Sequence, residues 1–111
     1  MTEAADGVIV LYTTWPDAGS VERAAARLLE DRLIACANIL GESRSIYRWE
    51  GEVQSEPELI ALFKTSAATA DRAKAAILDL HPYDEPCVLA LESRTALSAA
   101  GFVDWVRSET A

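Results

Sequence analysis

The sequence has few of the residues from which metal centres and disulfide frameworks are built. Its 111 residues include one histidine, His81, and two cysteines, Cys36 and Cys87, which lie far apart and form no Cys-x-x-Cys pattern. This cysteine usage excludes a disulfide-stapled scaffold and predicts reduced thiols. No second histidine or cysteine stands at helical spacing from His81, so that segment alone does not predict a soft-metal site.

Basic residues and long apolar runs are also scarce. Ten lysines and arginines face 18 acidic residues, which gives a net charge of −8 without any basic stripe. Nucleic acid is therefore excluded as a partner, since backbone binding would lack its main electrostatic attraction. The apolar run at residues 8–12 is far too short to cross a bilayer, and residues 1–7 do not resemble a secretory signal. These features predict a soluble, cytoplasmic protein with no membrane partner.

Catalytic and nucleotide-binding motifs are missing as well. The sequence contains no Walker loop, no Gly-x-Gly-x-x-Gly and no Gly-x-Ser-x-Gly. The prediction is that the protein is not an enzyme and has no catalytic residues. A hydrolase using Glu58 and His81 is the weakest alternative, because no set of nucleophile, base and orienting group is visible.

Hydrophobic periodicity predicts four strands and three helices. Val21, Ala24, Leu28 and their apolar neighbours recur at helical spacing, with Asp17 or Ser20 as the N-cap. A second helix spans the apolar positions from Ala70 to Leu80, capped by Thr65 or Ser66 and ended by Pro82. Strands are predicted at residues 8–12, 34–40 with 46–49, 59–63 and 88–91, and a short C-terminal helix surrounds residues 102–106.

The resulting β-α-β-β-α-β order predicts a single α+β domain over residues 1–111, with residues 1–7 flexible. It is the order of the ferredoxin-like split βαβ fold, a four-stranded antiparallel sheet with two helices on one face. Right-handed crossovers give the spatial strand order 4-1-3-2, which places Cys36 and Cys87 on opposite edges. Strands 2 and 3 form a long β-hairpin with its tip at Glu50 and Gly51 and an irregularity at residues 41–43.

Each candidate site residue has a functional and a structural interpretation. His81 is a metal contact or a helix-end residue that meets terminal carbonyls. Cys36 is a nucleophile or, as we favour, a buried small hydrophobe. Lys64 holds an anion or a carboxylate, or simply reaches past the sheet end. Tyr47 and Trp49 suit a subunit interface or cross-strand packing equally well.

Several segments together carry a family resemblance. Tyr-x-Trp-Glu-Gly at residues 47–51 and His-Pro-Tyr-x-x-Pro at residues 81–86 are the most specific. With residues 13–17, 32–39 and 58–65 they occur in the order seen in CutA divalent-cation tolerance proteins, and the chain from about residue 8 to residue 107 resembles that family.

The resemblance implies a tight homotrimer whose hairpins extend onto neighbouring subunits, and a role in tolerance of divalent cations. Copper binding in that family involves positions that match Thr13, Leu80 and His81 here, so the candidate copper ligands are His81 with Cys36 or Cys87, converging from several subunits. Thr13 and Leu80 stand where the family has soft ligands. Similarity of the family to PII signalling proteins implies a small-ligand cleft between subunits, or alternatively a scaffold trimer that anchors a protein partner. The residues that this analogy places in the cleft are Tyr47, Trp49, Glu58, Lys64, His81 and Tyr83.

Overall fold

Eight segments of regular structure follow one another in the computed structural model, which describes residues 7–111. They are β1 (Val8–Trp15), α1 (Ala18–Glu30), β2 (Cys36–Trp49), β3 (Glu52–Ser66), α2 (Ala70–Leu80), β4 (Val88–Glu92), a 3₁₀ turn (Thr95–Leu97) and α3 (Ala100–Glu109). The predicted β-α-β-β-α-β order and C-terminal helix are confirmed. The predicted flexibility of the N-terminus falls on residues 1–6, outside the described part, and on Gly7, whose carbonyl accepts a hydrogen bond from the Ala67 N–H.

The four strands form one antiparallel sheet in the order β2-β3-β1-β4, as predicted. β1 lies in the middle and pairs with β3 from Val8↔Ser66 to Trp15↔Leu59, and with β4 from Ile9↔Glu92 to Thr13↔Val88. This order puts the two cysteines at opposite edges of the sheet. Both are free thiols, and each is only partly buried, so the prediction of a buried Cys36 was wrong.

Alternation along the strands separates two faces of the sheet. Odd-numbered residues of β1 and β3 point at α1 and α2, which pack side by side on this face and form the main core. The completely or almost completely buried side chains there are Leu11, Trp15, Val21, Ala24, Leu28, Ala61, Phe63, Ala73 and Ile77. The fold class is therefore the predicted α+β, ferredoxin-like arrangement.

The opposite face of the sheet is covered at one end only. Val103 and Val106 of α3 are buried there against Val8 and Ala35. The remaining surface, called here the open face, includes even-numbered residues of β1 and β3 and the exposed leucines Leu89 and Leu91 of β4. Two helices cover one face of the sheet, whereas most of the other face has no helix or sheet from residues 7–111 packed against it. In compact domains, a sheet face with apolar residues is usually buried against a second layer.

β2 and β3 continue beyond the sheet as a two-stranded ribbon. We call residues 42–58 the arm, because the pairing of β3 with β1 ends at Trp15↔Leu59 whereas its pairing with β2 runs to Trp49↔Glu52. The arm begins at a register shift between Ile39 and Glu42, where Gly41 has φ +86°. It ends in a turn at Glu50 and Gly51, both with positive φ, the geometry favoured in two-residue hairpins. The predicted tip and irregularity are confirmed.

Some element boundaries differ from the prediction. β1 and β3 are longer than the apolar runs, since pairing with each other satisfies the backbone of polar residues such as Thr13 and Thr65. The predicted cap of α2 was wrong, because β3 runs through Ser66 and the helix follows Thr69, whose side chain makes no capping hydrogen bond. Asp17 rather than Ser20 caps α1, with its Oδ1 accepting from the Ser20 N–H at 2.8 Å.

Candidate functional site

The specific His-Pro-Tyr segment lies where the sheet meets the arm. α2 ends at Leu80 because Pro82 cannot continue it, and His81 becomes the C-cap residue. Its ring stacks on the indole of Trp15 at the end of β1, with the ring centroids 4.1 Å apart and the planes at 26°. We call the group formed by Trp15, Tyr47, Glu58, His81 and Tyr83 the junction cluster.

Both ring nitrogens of His81 are engaged. The Tyr83 N–H donates to Nδ1 at 3.1 Å, and Nε2 lies 2.8 Å from the carbonyl oxygen of Thr14. Because Nδ1 accepts a hydrogen bond, the consistent tautomer carries its proton on Nε2 and donates it to Thr14. Burial lowers the pKa of His81 and outweighs the opposite effects of the Thr14 carbonyl and Glu58, so the ring is neutral at pH 7.

Tyr83 connects this ring to the arm. Its Oη donates to Glu58 Oε2 at 3.0 Å, and its ring centroid lies 4.9 Å from that of His81. Burial and the bond to Glu58 together raise the pKa of Tyr83 to about 12. A phenol that stays protonated beside a carboxylate acts as a fixed hydrogen-bond donor, and it holds the base of the arm to the end of α2.

The surroundings of Glu58 are negatively polarised. Partial burial and Glu56 raise the pKa of Tyr47, and burial and Glu58 raise the pKa of the Cys87 thiol. Ion pairs formed between residues 7–111 lie on the helices, so no lysine or arginine of this part of the chain neutralises Glu56 or Glu58. The cluster can therefore offer oxygen acceptors and aromatic faces to a cationic or hydrogen-bond-donating group.

Three predicted site residues lie elsewhere. Lys64 is opposite Cys36 in the sheet, with its Nζ 5.5 Å from the ring centroid of Phe102 in α3. Trp49 pairs with Glu52 near the tip of the arm and is half exposed. Thus Tyr47, Glu58, His81 and Tyr83 come together within one subunit, whereas Lys64, Trp49 and Cys36 do not join them.

The donors expected for copper do not fit a copper ion within one subunit. Thr13 Oγ1 is completely buried, donates to the Ala61 carbonyl at 2.8 Å and accepts from Trp15 Nε1 at 2.6 Å. Leu80 has no donor atom, and the lone pair of His81 Nδ1 is already used. Over residues 7–111, no three His, Cys, Asp or Glu side chains are arranged to hold a metal ion.

Sequence patterns did not predict the roles of Trp15, a member of the junction cluster, and of Cys87, which lies close enough to Glu58 to be affected by it. Trp15 lies beyond the strand predicted at residues 8–12 and was not a candidate site residue, although it is fully buried and its indole stacks on the ring of His81. Cys87 was considered as a thiol but not as a neighbour of Glu58. The sequence contained a weak indication of burial for Trp15 only. Trp15 continues the alternation of Leu11 and Thr13, which places it on the same face of the strand as those residues.

The sequence is similar to those of divalent-cation tolerance proteins from other organisms. The family model of the CutA1 divalent ion tolerance protein matches residues 9–109. The divalent-cation tolerance protein CutA of Pyrococcus horikoshii is 42% identical over 85 residues, covering 77% of this chain and 82% of its own. The corresponding Thermus thermophilus protein is 38% identical over 101 residues, covering 91% and 96%.

Solved structures agree with this assignment. CutA1 from Oryza sativa superposes with a TM-score of 0.89 at 30% identity and 97% coverage of both chains. The periplasmic divalent cation tolerance protein CutA of Archaeoglobus fulgidus has a TM-score of 0.86 at 29% identity, covering 92% of this chain and 97% of its own. No helix within residues 7–111 combines the length and apolarity needed to span a bilayer. The chain belongs to the CutA1 divalent ion tolerance family.

Proposed function

We propose that this protein is a non-enzymatic homotrimer that takes part in tolerance of divalent cations and binds a small ligand or metal ion between its subunits. Membership of the CutA1 family supports the cation-related role, because the relatives from Pyrococcus and Thermus are divalent-cation tolerance proteins. We expect it to act in the cytoplasm, which cell fractionation would test against the periplasmic relative of Archaeoglobus.

The exposed apolar side chains of the open face are the main support for the proposed trimer. Leu89 and Leu91 of the edge strand β4 are 59% and 50% exposed along it. Leucines at this exposure on an edge strand form an apolar surface of the kind that self-association buries. Two different free edges, β2 and β4, permit head-to-tail pairing, which closes into a ring at a suitable rotation.

The junction cluster is the proposed wall of the inter-subunit cleft. Tyr47 and Tyr83 contribute ring surface, and Glu56 and Glu58 contribute carboxylates without a cationic partner among residues 7–111. Such a mixture of aromatic and polar groups is what small-ligand clefts use. Trp49 and Lys64, which are remote from the cluster of their own subunit, would reach a cleft only through a neighbouring one.

A copper ion would require donors from several subunits, since one subunit does not supply them. His81 and Cys36 are the proposed ligands. Coordination at Nδ1 would replace the hydrogen bond from the Tyr83 N–H, whereas the Cys36 thiol is partly accessible. Thiolate and imidazole are ligands that suit copper.

Native mass spectrometry of the purified protein, before and after addition of copper or zinc, tests both parts of the proposal. We expect a trimer that takes up metal, and uptake that falls when Cys36→Ser and His81→Asn are combined. Leu89→Lys combined with Leu91→Lys should give monomers, whereas Leu29→Lys, at a similarly exposed leucine of α1, should not. A wild-type monomer, or monomers from the Leu29→Lys control as well, would contradict assembly through the open face.

A PII-like signalling or scaffold trimer that anchors a protein partner is the second candidate function. It is favoured by the exposed apolar side chains of the arm, Ile46, Trp49 and Val53. A trimer that remains metal-free at copper and zinc concentrations saturating a control metalloprotein would support this alternative.

A further inference from the structure

The two faces of the arm carry net charges of opposite sign. Because side chains alternate along a strand, the β2–β3 register assigns each residue of the arm to one face. One face, called the acidic face, holds Tyr47, Trp49, Glu52, Glu56 and Glu58. The other, called the basic face, holds Arg44, Ile46, Arg48, Val53 and Pro57, with Glu42 as its one acidic residue at the base of the arm, opposite Leu59.

Charges on these faces have no ionic partner within residues 7–111. Arg44 Nη1 donates to Ser55 Oγ at 3.0 Å, and Arg48 Nη1 donates to the Gly51 carbonyl at 3.3 Å. Both acceptors are neutral. The ion pairs of this part of the chain lie on α1, α2 and α3. A two-stranded ribbon cannot bring its own opposite faces together, so a separate molecule must provide any pairing.

Apolar surface accompanies the charge on both faces. Ile46 is 69% exposed and Val53 62% exposed on the basic face, and Tyr47 and Trp49 are exposed on the acidic face. Arginine stacks well on aromatic rings and pairs with carboxylates at the same time. The acidic face therefore has the chemistry that recognises the basic face.

Spacing of the charges also matches. Arg44 and Arg48 are four residues apart on β2, and Glu52 and Glu56 are four residues apart on β3. At the rise of a β-strand, each pair spans about 13 Å. Two arginines can thus meet two glutamates in one register.

We propose that the basic face of one arm docks on the acidic face of the arm of a second copy of this chain, with Arg44 and Arg48 opposite Glu52 and Glu56. This rests on the proposed homotrimer and adds the contact that sets its direction. Each copy offers one face and receives the other, so the contact is head-to-tail and repeats around a ring. The acidic face of each copy then gains the cations that it lacks in its own chain.

Charge reversal tests the proposal. Arg44→Glu with Arg48→Glu places like charges opposite each other, and Glu52→Arg with Glu56→Arg does the same from the other side. Either pair should raise the trimer dissociation constant about a hundredfold, measured by analytical ultracentrifugation at low salt. The loss should shrink at high salt because these exposed charges are screened. Arg23→Glu with Arg27→Glu on α1, also four residues apart, is the matched control and should leave the constant unchanged.

The decisive variant carries all four substitutions, so that the acidic face becomes basic and the basic face becomes acidic. It should recover assembly to within about tenfold of the wild type, since every interface again joins opposite charges. A fourfold variant no better than the double variants, or double variants that assemble like the wild type, would overturn the inference while leaving the trimer intact. A monomeric wild type would instead contradict the proposed function. Circular dichroism of each variant checks that the subunit is folded.

Discussion

The body and the arm of this protein share the strands β2 and β3 but differ in what covers them. In the body, Ala61 and Phe63 of β3 are fully buried beneath α1 and α2. In the arm, beyond Leu59, no third strand from residues 7–111 lies beside the same two strands, and Ile46 and Val53 remain mostly exposed. An isolated two-stranded ribbon is at best marginally stable in water. The body is thus stabilised by its own core, whereas the arm depends on its turn, its junction with the body and a neighbouring molecule.

Two tryptophans allow this comparison to be tested with one type of substitution. Trp15→Ala removes a fully buried indole that contacts Phe63 and His81, and should cost about 3–5 kcal/mol of unfolding free energy. Trp49→Ala, near the tip of the arm, should cost less than about 1 kcal/mol in the subunit. Urea denaturation of both variants in a background that does not assemble gives the two values. Equal losses would show that the arm has a core of its own.

Substitution of the glycines at the two ends of the arm should cause the next largest loss of stability. Gly41 and Gly51 have φ values of +86° and +83°, and alanine there should cost about 1 kcal/mol each. Neither site would crowd an added Cβ, so the cost is conformational. Gly101→Ala in α3 is the control, because it is also uncrowded but helical, and it should be neutral or stabilising. Thermal melts of the three variants measure the difference.

Tyr83→Phe should loosen the arm without unfolding the body. It removes the hydrogen bond from Tyr83 Oη to Glu58, worth about 1 kcal/mol at a partly exposed site. Hydrogen exchange should rise for amides of residues 42–58 and stay unchanged in α1. Uniformly faster exchange would mean that the junction stabilises the whole subunit.

The same variant should alter the alkaline limit of stability. The folded pKa of Tyr83 is raised to about 12 from 10.0, so the unfolded chain loses this proton first and stability falls as the pH rises from about 10 to 12. In Tyr83→Phe this contribution to the fall should be absent. Denaturation midpoints at pH 9 and pH 11.5 for both proteins would reveal it.

The smallest expected effect is at mildly acidic pH. Burial lowers the folded pKa of His81 below 6.5, so the unfolded chain binds a proton that the folded chain resists. Stability present above pH 6.5 should therefore decline as the pH falls toward 5. His81→Asn, which retains polar atoms but does not titrate, should decline less over this interval. Parallel curves for the two proteins would exclude His81 as the cause.

Much of the fold followed from local patterns in the sequence. Helical spacing of apolar residues marked α1 and α2, and the order of elements was sufficient to predict the strand order of the sheet. Boundaries were less accurate where pairing decided them. β3 extends to Ser66 because β1 continues beside it, and this moved the start of α2 away from the predicted caps.

The candidate site was predicted in part. Tyr47, Glu58, His81 and Tyr83 were chosen through the family motifs, and the structure brings them together. Lys64 was grouped with them although it lies six residues along β3 from Glu58, about 20 Å in a strand. Sequence patterns give the type and order of residues, but the distance between motifs depends on how far each strand continues.

The sequence by itself determined the family, the element order, the hairpin tip and the separation of the two cysteines. Each of these depends on spacing along the chain or on a local preference, such as glycine at positive φ. Only the tertiary structure decided that the His81 nitrogens are engaged, that Thr13 is sealed between Trp15 and Ala61, and that the arm has two faces of opposite net charge. These properties arise because strands distant in sequence are brought into register, and hydrogen-bond partners and shared faces exist only once that register is formed.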